Sequence, residues 1–419
     1  MTQSPDRLSE KVTEKAALTT YKFRLQDFLI GAQMLFVAFG ALVLVPILAG
    51  LDPNVALFTS GIGTLCFQIV TGGKVPVYLA SSFAFITPIS LSVEKYGLAE
   101  TLSGLAGAGV LYLVLSLLIF WRGSGIINRI LPNIVTAPVI MVIGLSLAPI
   151  AVEMASKPEE NYTSTTALLI AAVSLLVTVL TAILARGYLR LVAILTGIVA
   201  GYLVSFPFGL VDFSGVAQAS WLAIPSFTMP KFHLPAILFI LPVAVAPVIE
   251  HIGDVLAISS VTHNDYLRDP GIHRTLLGDG LATTIAAFTG GPPNTTYSEV
   301  TGAVALTKAF NPAIMTWAAI CAIALSFCGK LGAILRTIPV PVMGGILIVL
   351  FGTIVVVGIN SLVQAKKDLL QPRDMAIIGA VLVLGVGGMS FQAGLFALEG
   401  IGLSSIVGIF LNLVLPQGT

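Results

Sequence analysis

Charged side chains are scarce in this chain. Asp, Glu, Lys and Arg make up 10% of its 419 residues, against roughly 25% in a soluble domain. So few charges cannot keep a soluble surface of this size polar, which excludes a soluble globular fold. Neither sign dominates: 21 basic residues face 20 acidic ones. Nothing electrostatic therefore argues for a nucleic-acid partner. Cysteine is also short. Cys66, Cys321 and Cys328 lie in apolar segments without metal or disulfide spacing, and small-residue packing accounts for them. No nucleophile–base pair or metal-ligand spacing occurs in those segments, so enzyme chemistry is not expected and no cofactor is called for.

What the chain has instead is hydrophobicity, with 56% apolar residues and a mean hydropathy of +0.99. Apolar stretches of about 20 residues, each able to span roughly 30 Å of hydrocarbon, recur from Asp27 to the C-terminus. The chain is expected to be an all-α polytopic protein of the lipid bilayer. Its first apolar run starts late and is too long for a cleavable signal peptide, so it reads as the first span. Fourteen segments are expected, at 27–50, 54–72, 76–93, 99–121, 132–155, 164–185, 187–210, 234–258, 274–290, 294–308, 311–329, 332–357, 374–394 and 396–416.

Charge placement tests the count, because cytoplasmic loops are rich in Lys and Arg. With the N-terminal tail (1–26) inside, the inner side receives 16 of the 21 basic residues. These are Arg7, Lys11, Lys15, Lys22, Arg24, Lys74, Arg122, Arg129, Arg186, Arg190, Arg268, Arg274, Lys308, Lys366, Lys367 and Arg373. A missed span would invert every later loop and destroy this bias. Both termini are therefore expected on the cytoplasmic side of the cytoplasmic membrane.

The longest outer connection, 211–233, separates two halves of near-equal length, 27–210 and 234–416. Seven spans is an odd number, so the second half is expected to sit inverted relative to the first, a recurrent transporter plan. Thr71-Gly72-Gly73 precedes the third segment and Thr289-Gly290-Gly291 precedes the tenth, at corresponding places in the two halves. The third segment (Val75 to Pro88) and the tenth (Gly291 to Gly302) are poor helices. Both are rich in Ser, Thr, Val and aromatic residues and interrupted by proline. Short extended strands are expected in both, side by side in the core, each followed by a half-helix whose free N–H groups point at a shared site. The competing reading is a pair of ordinary proline-kinked helices.

Acids inside spans are costly, by about 2.5–3.5 kcal/mol each, and default to functional candidates. Glu250 and Asp254, at i and i+4, share one face of the eighth segment. Glu299 lies in the tenth. No Lys or Arg falls at comparable depth, so a structural ion pair is hard to supply. Acids without a counter-charge suit proton coupling. Asp279, in Gly278-Asp279-Gly280, is a further coupling candidate, with a helix-end hydrogen-bonding role competing. His251, about 100° around the helix from Glu250, is either a proton relay or a packing histidine. Glu399 reads as a solvated charge.

These residues resemble the nucleobase–ascorbate transporter family, and within it the bacterial uracil permeases, from about Phe28 onwards. The most specific blocks are Val75 to Phe85, then Glu250-His251-Ile252-Gly253, then Leu267 to Arg274, then Pro293 to Glu299. The resemblance implies a core domain (27–121 plus 234–329), a gate domain (132–210 plus 332–416) and a homodimer formed through the gate. It implies that Glu250 and Glu299 accept hydrogen bonds from the ring N–H groups of uracil, while the backbone N–H groups of Phe83 and Ser298 donate to its carbonyls. Two donors facing two acceptors make a complementary set. Tyr297, Phe351 and Ala41 would supply the walls. The chain also departs from the uracil pattern. Asp254 stands where those permeases carry histidine, Met34 replaces a usual histidine, and Val300 an asparagine. Asp254 and Asp279 look purine-like, Glu299 pyrimidine-like. The expected activity is proton-coupled uracil import by alternating access, with xanthine, urate or another purine as the alternative. An anion exchanger of the same plan is disfavoured, because its site should offer cations or bare helix N-termini and not two carboxylates.

Overall fold

A chain this apolar must close its backbone hydrogen bonds within each segment, because hydrocarbon supplies no partners. The computed structural model describes residues 19–123, 125–158, 162–365, 369–393 and 396–416, with the side chains of 126–128, 392, 393, 396 and 397 left aside. Arg7, Lys11, Lys15, Lys366 and Lys367 of the charge count lie outside the described residues.

The elements run α1 (Phe28–Leu48), α2 (Pro53–Val70), β1 (Leu79–Ser81), α3 (Ile86–Tyr96), α4 (Leu98–Arg122), α5 (Gly125–Ile130), α6 (Asn133–Ser156), α7 (Ser164–Leu184), α8 (Tyr188–Leu191) and α9 (Ala193–Ser205). They continue with α10 (Ser214–Gln218), α11 (Leu234–Ile240), α12 (Val245–Thr262), α13 (Ile272–Thr289), β2 (Asn294–Thr296), α14 (Ser298–Thr307), α15 (Ala313–Ser326) and α16 (Gly329–Arg336). The last are α17 (Val340–Gln364), α18 (Pro372–Val386), β3 (Ser390–Ala393), β4 (Phe396–Glu399) and α19 (Gly400–Val414). Among the described residues, seven helices are long and apolar enough to cross a membrane: α1, extended back to Leu25, α2, α4, α6, α7, α12 and α17. The protein is a multi-pass membrane protein. Leucines and isoleucines such as Leu168, Leu176, Leu180 and Ile183 on α7 face outward, as a lipid-facing surface requires.

Several segment boundaries differ from the sequence reading, and prolines explain most of them. The eighth segment is not one helix. It breaks at 241–244 into α11 and α12, beside Pro242 and shortly before Pro247. The twelfth was expected from 332, but 329–336 forms the separate α16, and the spanning helix α17 starts only after Pro339. The thirteenth and fourteenth shorten to α18 and α19, joined through the antiparallel β3–β4 hairpin. Glu399 ends that hairpin and precedes α19.

Hydrogen bonds and contacts separate two faces. On one, Asn311 accepts from the Lys22 N–H at 3.1 Å, Ser116 donates to the His273 carbonyl at 2.6 Å, and Asn412 donates to the Arg129 carbonyl at 2.9 Å. Both described ends of the chain lie there. Across the opposite face the 211–233 connection is stitched down. Ser226 N–H donates to Asp52, Thr228 N–H to the Thr289 carbonyl, and Lys231 N–H to the Ala99 carbonyl.

α6 packs against α17 with backbones in close approach, and small residues permit it. A Cβ on Gly344 would overlap the Met154–Ala155 backbone, one on Gly144 the Phe351 carbonyl, and one on Gly358 the Ala137 carbonyl. Without a hydrophobic driving force between helices in lipid, such backbone approach is what holds a pair together. Gly344→Val should therefore cost about 2 kcal/mol by overpacking. Thermal aggregation of detergent-solubilised protein would show a lowered midpoint, whereas an unchanged midpoint would refute the need for close approach there.

Candidate functional site

Two three-residue strands lie buried in the middle of the helices. β1 and β2 pair antiparallel, Leu79 opposite Thr296, Ala80 opposite Thr295 and Ser81 opposite Asn294, and Ser82 N–H donates to the Pro293 carbonyl at 2.9 Å. Only three pairs close, so the flanking backbone needs other partners. The polar residues of α2 and α13 supply them. From α2, Ser60 donates to the Leu79 carbonyl at 2.6 Å, Thr64 accepts from the Leu79 N–H at 3.0 Å, and the Gln68 amide donates to the Val75 carbonyl at 2.9 Å. From α13, Thr283 donates to the Asn294 carbonyl at 2.8 Å, and the Asn294 amide reaches back to the Thr59 carbonyl at 3.1 Å.

Each strand runs into a helix start. Phe83 opens a single 3-10 turn ahead of α3, and Ser298 opens α14. The first N–H groups of a helix have no intrahelical partner, and no hydrogen bond from the N–H of Phe83 or Ser298 is made among the described residues. The acids belong to the α12 and α14 side of this arrangement. Glu250 lies in the first turns of α12, just beyond the helix break, and Glu299 in the first turn of α14. Asp254, one turn beyond Glu250 on α12, bonds the hydroxyl of Ser298 next to Glu299, which brings both acids to one junction.

Burial sorts the ionisable groups into two layers. Glu250, Glu299 and Ser298 keep partial exposure, whereas His251, Asp254 and Asp279 are buried behind them. Asp254 accepts from the Thr296 hydroxyl at 2.8 Å and from the Ser298 hydroxyl, which ties α12 to the β2–α14 junction. Thr275 gives its own proton to the Ile272 carbonyl at 3.1 Å and lies 3.0 Å from His251 Nε2. That assigns the Nε2 hydrogen to the histidine. His251 Nδ1 then faces Asp279 Oδ2 at 3.5 Å, and neither Asp279 oxygen has a hydrogen-bond partner among the described residues. Two charges of opposite sign or a single shared proton would satisfy this pair.

The wall residues named from the sequence lie on several elements. The Phe83 ring meets Phe351 of α17 edge-on, with centroids 6.2 Å apart and planes at 85°. Tyr297 is buried with its hydroxyl beside the Ala41 backbone of α1. Thr275, Thr296 and the polar stripe Ser60, Thr64, Gln68 were missed. The stripe's signal was present as hydroxyl and amide residues at i, i+4 and i+8 in an otherwise apolar helix.

A family model described as Permease family (Xan_ur_permease) matches residues 25–394. A probable uracil permease of Haemophilus influenzae is 52% identical over 401 residues, covering 96% of this chain and 97% of its own. The uracil permease of Bacillus caldolyticus is 43% identical over 394 residues, covering 92% and 91%. Among solved structures, the transmembrane domain of a cyanobacterial bicarbonate transporter, BicA, superposes with a TM-score of 0.65 at 17% identity, covering 94% of this chain and 99% of that one. Such a likeness carries the fold alone. The family match across most of the chain and the near full-length relatives establish that this chain belongs to the nucleobase–ascorbate transporter family of permeases.

Proposed function

We propose that this permease imports uracil together with a proton. The observation that carries the reading is the presence of two partly exposed carboxylates, Glu250 and Glu299, alongside two backbone N–H groups, of Phe83 and Ser298, that have no partner among the described residues at the strand–helix junctions. Uracil presents two ring N–H donors and two carbonyl acceptors, so every polar atom of the base finds a partner in such a set. Relatives named as uracil permeases, at 52% and 43% identity, support the same substrate. An anion would meet two carboxylates at this site, which argues against the chemistry of the bicarbonate carrier that shares the fold.

We infer fourteen membrane segments in two inverted halves, combined into core and gate domains with the boundaries expected from the sequence. A 215-residue offset separates Leu79 from Asn294, and the same offset relates Ser60, Thr64 and Gln68 to Thr275, Asp279 and Thr283. The strand register is symmetric about the Ala80–Thr295 pair under that offset, as a two-fold axis in the membrane plane would produce. In the transport cycle, a proton taken up by Glu250 or Glu299 favours binding of the base from outside. The core then shifts against the gate, and proton and base leave inward. Asp254, His251 and Asp279 would stabilise or hold that proton behind the site.

Three expectations follow for cells lacking their own nucleobase carriers. Glu250→Ala should lower uracil uptake by about 100-fold, the loss of one charge-assisted bond and its pairing, at unchanged membrane levels. Normal uptake would remove the residue from the mechanism. Glu299→Gln should weaken uracil uptake and move competition toward xanthine and urate; an unaltered competition profile would show that this side chain does not read the base. Raising the external pH from about 6 to about 8 should depress wild-type accumulation, because the inward proton gradient falls. Accumulation indifferent to pH and to a protonophore would exclude proton symport.

A further inference from the structure

We propose that the cavity on the face opposite the chain ends is a capture site where Asn54 and Arg336 hold an uncharged nucleobase before it reaches the acids. The inference rests on the nucleobase reading above and on the inward placement of the chain ends expected from the Lys and Arg distribution, which makes this the outer face.

The cavity measures about 690 Å³, within the roughly 300–1,000 Å³ of small-molecule pockets. Its walls are the start of α2 with Asp52 and Asn54, the 220–226 stretch of the connection, α16 with the turn after it, and Leu210 and Asp212 on the far side. Asn54 is 7% exposed, and its Oδ1 is buried without a hydrogen-bond partner among the described residues. A buried amide oxygen left unpaired is costly, so the position is made for a donor the protein does not itself supply. Gly332 makes room for that amide: a Cβ there would sit 2.6 Å from both of its terminal atoms.

A donor stands beside this acceptor. Arg336 Nη2 lies 3.2 Å from Asp52 Oδ1, the same oxygen that accepts the Asn54 backbone N–H at 2.9 Å. The guanidinium carries five N–H groups, and with 59% of the side chain exposed it keeps donors for the cavity. An acceptor and a donor that share Asp52 as a neighbour complement the N–H and C=O of a cis-amide ring edge, which uracil and the oxopurines carry.

Charge selects among molecules with that edge. Two carboxylates, Asp52 and Asp212, face one guanidinium in the lining. The backbone N–H and hydroxyl of Ser214 hold Asp212 below the usual carboxylate range, so it is an anion at neutral pH. With Lys330 hydrogen-bonded to the Val216 and Ala217 carbonyls beside the lining, the wall has no net positive charge to hold the phosphates of nucleotides and admits the neutral base.

The test is the initial rate of labelled uracil uptake into proteoliposomes across a range of uracil concentrations, for wild type, Asn54→Leu and Arg336→Gln. Loss of one hydrogen bond at the entry site should raise KM by about tenfold with kcat unchanged, and uridine monophosphate should not compete with wild-type uptake. An unchanged KM in both variants, or a fall in kcat alone, overturns the capture site. Arg336→Gln, an exposed substitution, decides the matter if Asn54→Leu fails to insert. A wild-type protein that takes up no nucleobase overturns the substrate reading itself; normal wild-type uptake with unaltered variants overturns only this site.

Discussion

Extended backbone at membrane depth is the constraint from which the rest of this architecture follows. A strand exposes N–H and C=O groups that neither lipid nor its own residues can satisfy. Two such segments cancel part of the deficit by pairing, Leu79–Ser81 with Asn294–Thr296. The remainder falls to the flanking helices α2 and α13, whose Ser60, Thr64, Gln68 and Thr283 reach the strand backbone. Among the described residues, what pairing leaves over at the strand ends is two N–H groups without a partner at helix starts, where a ligand carbonyl would find donors.

The two polar stripes are placed alike but used differently. On α2 all three members serve the backbone around β1. On α13 only Thr283 does so, while Thr275 and Asp279 turn to His251 on the neighbouring helix. The second half therefore carries ionisable chemistry where the first carries structural hydrogen bonds. Thr64 corresponds to Asp279 under the shared offset, so one substitution class separates a scaffold position from a charged one.

Much of this was legible in the residues. Long apolar runs announce the spanning helices, because hydrocarbon thickness imposes their length. Proline and β-branched residues at 75–88 and 291–302 announce segments that cannot be helical throughout. Unpaired acids mark Glu250, Asp254, Glu299 and Asp279 for the same reason that burying them is expensive. Other features were hidden. The break at 241–244 lies inside an unbroken apolar run, and hydropathy is blind to a helix that stops and restarts. Gly332 to Arg336 joins the following span in the sequence reading, and Gly329 the preceding one, because the eight residues of α16 are too short to stand out between two apolar runs. The stripe on α2 went unread since Ser, Thr and Gln alone in a helix are also what ordinary packing tolerates. Which nitrogen of His251 carries hydrogen depends on Thr275, 24 residues away, and no local pattern encodes that.

The partners in the central strand pair are separated by more than two hundred residues of chain. During synthesis, β1 enters the bilayer long before Asn294 has been made. Until the second half arrives, one edge of Leu79–Ser81 has no strand to bond, and only Ser60, Thr64 and Gln68 on the preceding helix shield it. Those side chains would then serve the nascent chain as well as the finished one. A ribosome-stalled fragment ending before residue 290 would depend on them more heavily than the complete protein does.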